Sequence, residues 1–187
     1  ADGLIHADLH TSNIMASRDK MKVIDMEFAF MGPFGYDLGY LVGNLISQYC
    51  AACFKRFPSE QNRKQFKAYL LATIKSLIET YMKTFTLCWE KSVKERYRGQ
   101  QGLLQSILQE VMEDVPGYAS MVNWFRSVSE IPYPDFDIIE DKDAKRNATV
   151  LSLMIDWGIM FGRYKYQSAD DLIETIIGIE EEFRKSL

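Results

Sequence analysis

Two short stretches near the start of the chain carry residue types that chemistry needs: His6-Ala7-Asp8-Leu9-His10-Thr11-Ser12-Asn13, then Asp25-Met26-Glu27. Asp8 follows a short apolar run, Gly3-Leu4-Ile5, that reads as a strand, so its carboxylate is expected in a loop at the strand end. A carboxylate so placed can orient a hydroxyl and take its proton. Asn13, five residues on, offers a hard carbonyl oxygen suited to Mg²⁺. Asp25 is expected to end the second strand of a hairpin that returns beside Asn13. Asp25 and Glu27, two apart on extended backbone, would face the same side. Carboxylates gathered there repel unless a cation sits between them, and Mg²⁺ carried by a nucleotide is the natural candidate. Any one of these residues alone reads as a turn or cap former. The ordered set points to catalysis: H-x-D-x-x-x-x-N, a hairpin, then D-x-E closing an apolar strand.

The elements that must hold these residues follow from periodicity. Ile14-Met15-Ala16-Ser17 and Met21-Lys22-Val23-Ile24-Asp25 flank the polar Arg18-Asp19-Lys20 and read as a β-hairpin. Phe28 to Gly35, with Gly32, Pro33 and Gly35, reads as a loop. From Tyr36 onward the chain reads as helices. Tyr36 to Phe54 is a central, buried one. Ser59 caps a long amphipathic run in which Phe66, Tyr69, Leu70, Ile74, Leu77, Ile78, Tyr81 and Phe85 share a stripe. Leu103 to Met112 is helical and is expected to be broken by Pro116-Gly117. Met121 to Val128 is helical, Ile131-Pro132-Tyr133-Pro134-Asp135 is not, and helices resume over Lys145 to Phe161 and Ala169 to Phe183, the last capped by Ser168 with Asp171. The fold class is mainly α with a small β-hairpin, in one domain over 1–187.

Composition narrows the functional classes. With 47% hydrophobic and 26% charged residues in 187, the chain is an ordinary globular domain, neither disordered nor fibrous. A formal charge of −4 leaves no broad basic footprint for nucleic acid. Charged residues interrupt every apolar stretch before the ~18 residues a membrane span needs, so no membrane partner is expected. The opening Ala1-Asp2-Gly3-Leu4 has no basic n-region and no initiator Met, and a start within a strand reads as a partial chain. Three cysteines, Cys50, Cys53 and Cys88, suit reduced thiols and a cytoplasmic location. Cys50-x-x-Cys53 lies in a helix that reads as buried, so core packing is its main reading. A zinc site built with His6 and His10 is the alternative.

H-x-D-x-x-x-x-N followed by an aspartate at a strand end resembles the catalytic and metal loops of the protein-kinase-like superfamily. His6-Ala7-Asp8, with no Arg before the Asp, is similar to its small-molecule branch of aminoglycoside phosphotransferases and choline kinases. Ile5-His6-Ala7-Asp8-Leu9-His10-Thr11, then Val23 to Phe30, then Gly32-Pro33-Phe34-Gly35-Tyr36-Asp37-Leu38-Gly39, resemble the signature of S-methyl-5-thioribose kinases. The resemblance implies the C-terminal lobe of a protein-kinase-like fold. It implies Asp8 as catalytic base and Asp25 and Glu27 as Mg²⁺ ligands, with Asn13 on the general kinase pattern. It also implies a bracing role for Asp37, and structural placement of His6 in the same loop. Ala7 and Met26 stand where the signature has Gly and Pro.

By the same resemblance the acceptor is a small sugar, most closely 5-methylthioribose phosphorylated by ATP at its C1 hydroxyl in methionine salvage. Aminoglycoside, choline or an amino alcohol are the alternative acceptors, and a non-catalytic binding remnant is the alternative of another class. The family's twin-Arg and His sugar site maps onto Trp124-Phe125-Arg126-Ser127 and Ile131 to Asp137. Arg126 is kept and Pro132 stands at the His. Arg126 is therefore either a donor to substrate hydroxyls or a snorkelling surface residue. No Gly-rich phosphate loop and no upstream Lys-bearing strand is present, so an N-terminal nucleotide-binding lobe is the missing partner and this length alone is expected to be inactive. A homodimer stays open.

Overall fold

The computed structural model describes residues 2–130 and 133–187. Four short strands open the chain: β1 (Asp2–Ile5), β2 (Ile14–Ala16), β3 (Met21–Val23) and β4 (Phe30–Pro33). Among the described residues seven α-helices follow: α1 (Tyr36–Phe54), α2 (Glu60–Ser92), α3 (Glu95–Arg98), α4 (Leu103–Val128), α5 (Pro134–Asp137), α6 (Lys142–Gly162) and α7 (Ala169–Ser186). The fold is mainly α with a small antiparallel sheet region, the arrangement of a C-terminal lobe of a protein-kinase-like fold.

The hairpin forms as its alternation predicts. Ile14 pairs with Val23 and Ala16 with Met21, and a Ser17–Lys20 turn joins the two strands. The expected loop over 28–35 is corrected: Phe30–Pro33 is a strand paired antiparallel with β1, from Asp2↔Pro33 to Ile5↔Phe30. Gly32 and Pro33 suggested a loop, but Pro33 sits at the strand's last position, where its missing N–H costs least. The consequence is functional. Strand β1 leads straight into Asp8, and β4 leads straight into α1, so their pairing ties the Asp8 loop to the start of that helix.

Helix α1 is apolar nearly all round and is buried on all sides, as the sequence implies. Val42, Ile46 and Tyr49 pack among Val111, Val115 and Ala119 of α4, Leu151 and Ile155 of α6, Ile74 of α2 and Ile176 of α7. Each such side chain contributes roughly 1.5–3 kcal/mol by leaving water. Cys50 and Cys53 are inside this core. Burial pushes both thiols up, Cys53 to about 12, so neither is a thiolate ready for zinc.

The break expected at Pro116-Gly117 does not occur, and α4 runs unbroken from Leu103 to Val128. A proline inside a helix costs about 3 kcal/mol through its missing hydrogen bond. Here Pro116 and Gly117 are buried between neighbouring helices, and the packing of Val111, Val115 and Ala119 outweighs that cost. A Cβ on Gly117 would come within 2.8 Å of the Arg163 guanidinium. The segment expected to be irregular before Asp135 also contains one helical turn, with Pro134 in its first position, where proline is tolerated.

The crossing of α1 and α4 is set by two glycines. A Cβ on Gly39 would stand 2.8 Å from the Val115 carbonyl oxygen, and one on Gly43 would stand 2.6 Å from that of Ala119. Only the bare backbone admits this approach. It brings Tyr36 against Tyr118, with ring centroids 4.8 Å apart, and thereby builds one wall of the site described next.

Candidate active site

The Asp8 loop is held from three directions. Asp37, in the first turn of α1, accepts the backbone N–H of His6 at 2.6 Å and of Ala7 at 2.9 Å. The His6 ring is buried; its Nδ1 accepts the Asp8 N–H at 3.3 Å and its Nε2 donates to the Ile24 carbonyl at 2.8 Å. That pattern places a proton on Nε2. Asn13, also buried, donates its amide to the Asp8 carbonyl at 3.0 Å and reaches the Asp8 carboxylate at 3.4 Å. His10 Nε2 lies 3.4 Å from the same carboxylate.

Two non-glycine residues have left-handed backbone, Ala7 at φ 69° and Asp25 at φ 68°. Ala7 precedes Asp8 and Asp25 is itself a candidate metal ligand, and strain of this kind concentrates at sites where surrounding bonds hold it in place. For Ala7 those bonds are the pair to Asp37. The Asp25 conformation also corrects the geometry expected for D-x-E. The backbone there is not extended, and Glu27 lies in a turn, so the two carboxylates are not presented by simple strand alternation. Asp25 still lies beside Asn13, because Ile24 donates its N–H to the Asn13 carbonyl at 3.0 Å.

Among the described residues no three His, Cys, Asp or Glu side chains converge into a metal cage, which leaves a site of the closed zinc type without support. The donors that Asn13, Asp25 and Glu27 offer are of another kind. With the Asn13 NH₂ committed to Asp8, its Oδ1 is the end left for a cation, and Asp25 and Glu27 are exposed and without ion pairs among the described residues. One or two carboxylates, an amide oxygen and open positions for water and phosphate fit Mg²⁺.

Beside Asp8 opens a cavity of about 460 Å³, lined by Tyr36, Tyr40, Tyr118, Met121, Val122, Trp124, Phe125, Arg126 and Tyr133. Tyr40 connects the two: its hydroxyl lies near Asp8, and burial, then the Asp8 charge, push it up to about 12. It therefore remains a protonated donor at any physiological pH. Burial, followed by the charges of Asp37 and Asp8, likewise raises Tyr36.

Arg126 lines this cavity as a strut. Its Nε and Nη2 donate to the buried Asp135 carboxylate at 2.7 and 2.6 Å, Gln48 donates to the other Asp135 oxygen, and the guanidinium lies 4.5 Å from the Tyr133 ring centroid. This is a half-buried ion pair, not the snorkelling surface residue weighed from sequence. The Pro132 position, read as replacing a substrate His, lies outside the described residues, as does Ile131. The tyrosines of the cavity and Asp135 were missed by sequence reasoning. Tyr36 and Tyr40, one turn apart at the start of the helix after the D-x-E segment, were the available signal.

Known proteins resemble the chain as follows. Residues 1–77 match the phosphotransferase enzyme family. Methylthioribose kinase of Geobacillus thermodenitrificans is 31% identical over 180 residues, covering 96% of this chain and 43% of the relative. Methylthioribose kinase 2 of Oryza sativa subsp. japonica is 32% identical over 184 residues, covering 92% and 43%. That of Yersinia enterocolitica is 28% identical, covering 94% and 44%. The chain thus spans less than half the length of the relatives it matches. Its first 77 residues thus resemble the phosphotransferase enzyme family, and methylthioribose kinases are similar to it over nearly the whole of its length.

Proposed function

We propose that this chain supplies the acceptor-binding and catalytic part of an ATP-dependent small-molecule kinase, and that its acceptor is a methylthioribose-like sugar. The observation that carries the reading is the nearness of Asp8 to Tyr40, which sets a carboxylate reached by Asn13 and His10, on a loop whose backbone His6 fixes, at the mouth of an aromatic cavity. An acceptor hydroxyl placed there donates its hydrogen bond to Asp8. As its oxygen bonds to the γ-phosphorus, the bridging oxygen leaves with ADP and the hydroxyl proton passes to Asp8. Asp25, Glu27 and Asn13 would hold Mg²⁺, which when bound neutralises charge on the phosphate oxygens. Residues of this chain do the positioning: Asp37 fixes the loop, and Tyr40 and Asn13 fix the carboxylate.

The cavity favours a neutral acceptor with an apolar end. Met121, Trp124 and Phe125 suit a thioether, which packs well against rings. The aromatic walls also suit a quaternary ammonium. However, the one cation in the lining, Arg126, already occupies Tyr133, and the buried Asp135 beside it is spent on Arg126 and Gln48. The test is an assay of this chain joined to a nucleotide-binding lobe, against methylthioribose, choline and an aminoglycoside with Mg·ATP. Turnover of methylthioribose is expected. Turnover of another acceptor instead keeps the kinase reading and overturns the sugar; turnover of none overturns both.

A further inference from the structure

On the far side of Met121 and Trp124 a second groove runs between α4 and α6, about 330 Å³ in volume, which the phosphoryl-transfer reading does not use. Its lining is Ser120, Met121, Trp124, Leu153, Asp156, Trp157, Met160 and Phe161. Three features distinguish it from a crevice. The first is Asp156, only 6% exposed, at a site whose other lining residues carry no charge. Burial pushes this carboxyl up to about 8, and the Asn123 hydrogen bond only partly offsets that.

The second feature is how the carboxyl is held. Ser47 of α1 donates to Asn123 Oδ1 at 2.6 Å, and Asn123 of α4 donates to Asp156 Oδ1 at 2.7 Å. This relay ties down one oxygen. The other, Oδ2, is buried and has no hydrogen-bond partner among the described residues. Leaving such an oxygen unpaired costs roughly 1–3 kcal/mol, which a ligand's donor would recover. Ser120 does not supply that donor, because its hydroxyl is given to the Gly117 carbonyl.

The third feature is the wall. Trp124, Trp157 and Phe161 are more than half exposed although large and apolar, and Trp157 and Phe161 lie with centroids 4.4 Å apart. Ring faces around a single acid attract a cation, and their area suits a flat apolar body.

We propose that the α4–α6 groove is a binding site for a small organic amine, its ammonium donated to Asp156 Oδ2 and its apolar body seated between Trp124, Trp157 and Phe161. A volume of this size sits at the small end of ligand pockets and matches a single-ring or short-chain amine. The site stands apart from the acceptor cavity, sharing only the Met121 and Trp124 wall with it.

Benzylamine is the probe, titrated into the 187-residue chain by calorimetry and by tryptophan fluorescence, with benzyl alcohol as the neutral match. The titration is run at about pH 8.5, where the Asp156 carboxyl has given up its proton and the amine still carries its own. Benzylamine is expected to bind at least tenfold more tightly than benzyl alcohol. Asp156→Asn, which keeps the Asn123 bond, should weaken benzylamine at least tenfold and leave benzyl alcohol unchanged. Trp157→Ala, at an exposed position, should weaken both without lowering Tm, and Asp8→Asn should change neither. Equal binding of amine and alcohol, or an unchanged affinity in Asp156→Asn, would reduce the groove to an apolar crevice and overturn the proposal. So would loss of benzylamine in Asp8→Asn, which would place it in the acceptor cavity, or no binding at all.

Discussion

Ala7 and Asp37 stand thirty residues apart, and Asp37 Oδ1 accepts the Ala7 N–H at 2.9 Å while Ala7 holds left-handed backbone. The helix start thus stabilises a strained turn in the catalytic loop. An L-residue in that conformation costs about 1–2 kcal/mol. Ala7→Gly is therefore expected to raise stability by roughly 0.5–1 kcal/mol, less than the full strain because glycine also loosens the unfolded chain. Asp37→Ala removes the acceptor of two N–H groups, and hydrogen bonds to a charged group contribute roughly 1.5–3 kcal/mol each. Urea unfolding of both variants checks this. An Asp37→Ala variant as stable as wild type would mean that the loop does not depend on α1.

Arg126 and Asp135 form a pair buried beside the acceptor cavity. Removing one member of such a pair costs about 3–5 kcal/mol, because the other is left buried and uncompensated, whereas replacing both with apolar residues is often neutral. Arg126→Ala is expected to fall in that range, and Arg126→Met with Asp135→Leu to be markedly more stable than Arg126→Ala. Equal stability of wild type and Arg126→Ala would return Arg126 to the surface.

Two buried carboxyls give opposite pH dependences. Burial raises Asp156 to about 8, so between about pH 4 and 8 the unfolded chain has released a proton that the folded chain keeps. Its contribution to stability is present below pH 4 and is lost as pH rises through 8, by an amount on the order of a few kcal/mol. Burial would also raise Glu180, but hydrogen bonds from Lys67, Tyr49 and Arg184 override it and hold the carboxyl at about 2. That stability is present above about pH 4.5 and is lost as pH falls towards 2. Denaturant unfolding from pH 2 to 9 should show Asp156→Asn gaining on wild type at alkaline pH. Glu180→Gln should show a flatter acid limb than wild type. Parallel curves for all three proteins would contradict both assignments.

Much of this was legible in residue patterns. The hairpin around Arg18-Asp19-Lys20, the buried α1 and the caps at Ser59 and Ser168 all follow from local periodicity and hydrogen-bonding chemistry. Tertiary packing decided the rest. Strand β4 exists because β1 is there to pair with it, and α4 continues through Pro116 because both flanks are buried. The Arg126–Asp135 pair, the tyrosine wall and the Asp156 relay join residues on different helices, and no local pattern announces them.

The metal ligands are tested by titration in a full-length context, with a nucleotide-binding lobe joined to the chain. Asp25→Ala is expected to abolish Mg·ATP turnover, and Glu27→Ala to raise the Mg²⁺ requirement and cut the rate. Glu27→Ala should leave stability nearly unchanged, since the residue is exposed, and Asp25→Ala should cost at most about 1 kcal/mol, because alanine suits left-handed backbone less well than aspartate. Wild-type-like Mg²⁺ curves for both variants would show that the D-x-E segment holds no metal.

Asp8 carries the account. In the same full-length context, Asp8→Asn keeps the shape and the Asn13, His6 and Tyr40 contacts but removes the charge that orients and deprotonates the acceptor hydroxyl. General-base help is typically worth ~10²–10⁴ in rate. The measurement is kcat of Asp8→Asn with Mg·ATP and the acceptor: a loss in that range with the KM for ATP little changed is the predicted result, and a kcat within a few-fold of wild type would contradict it.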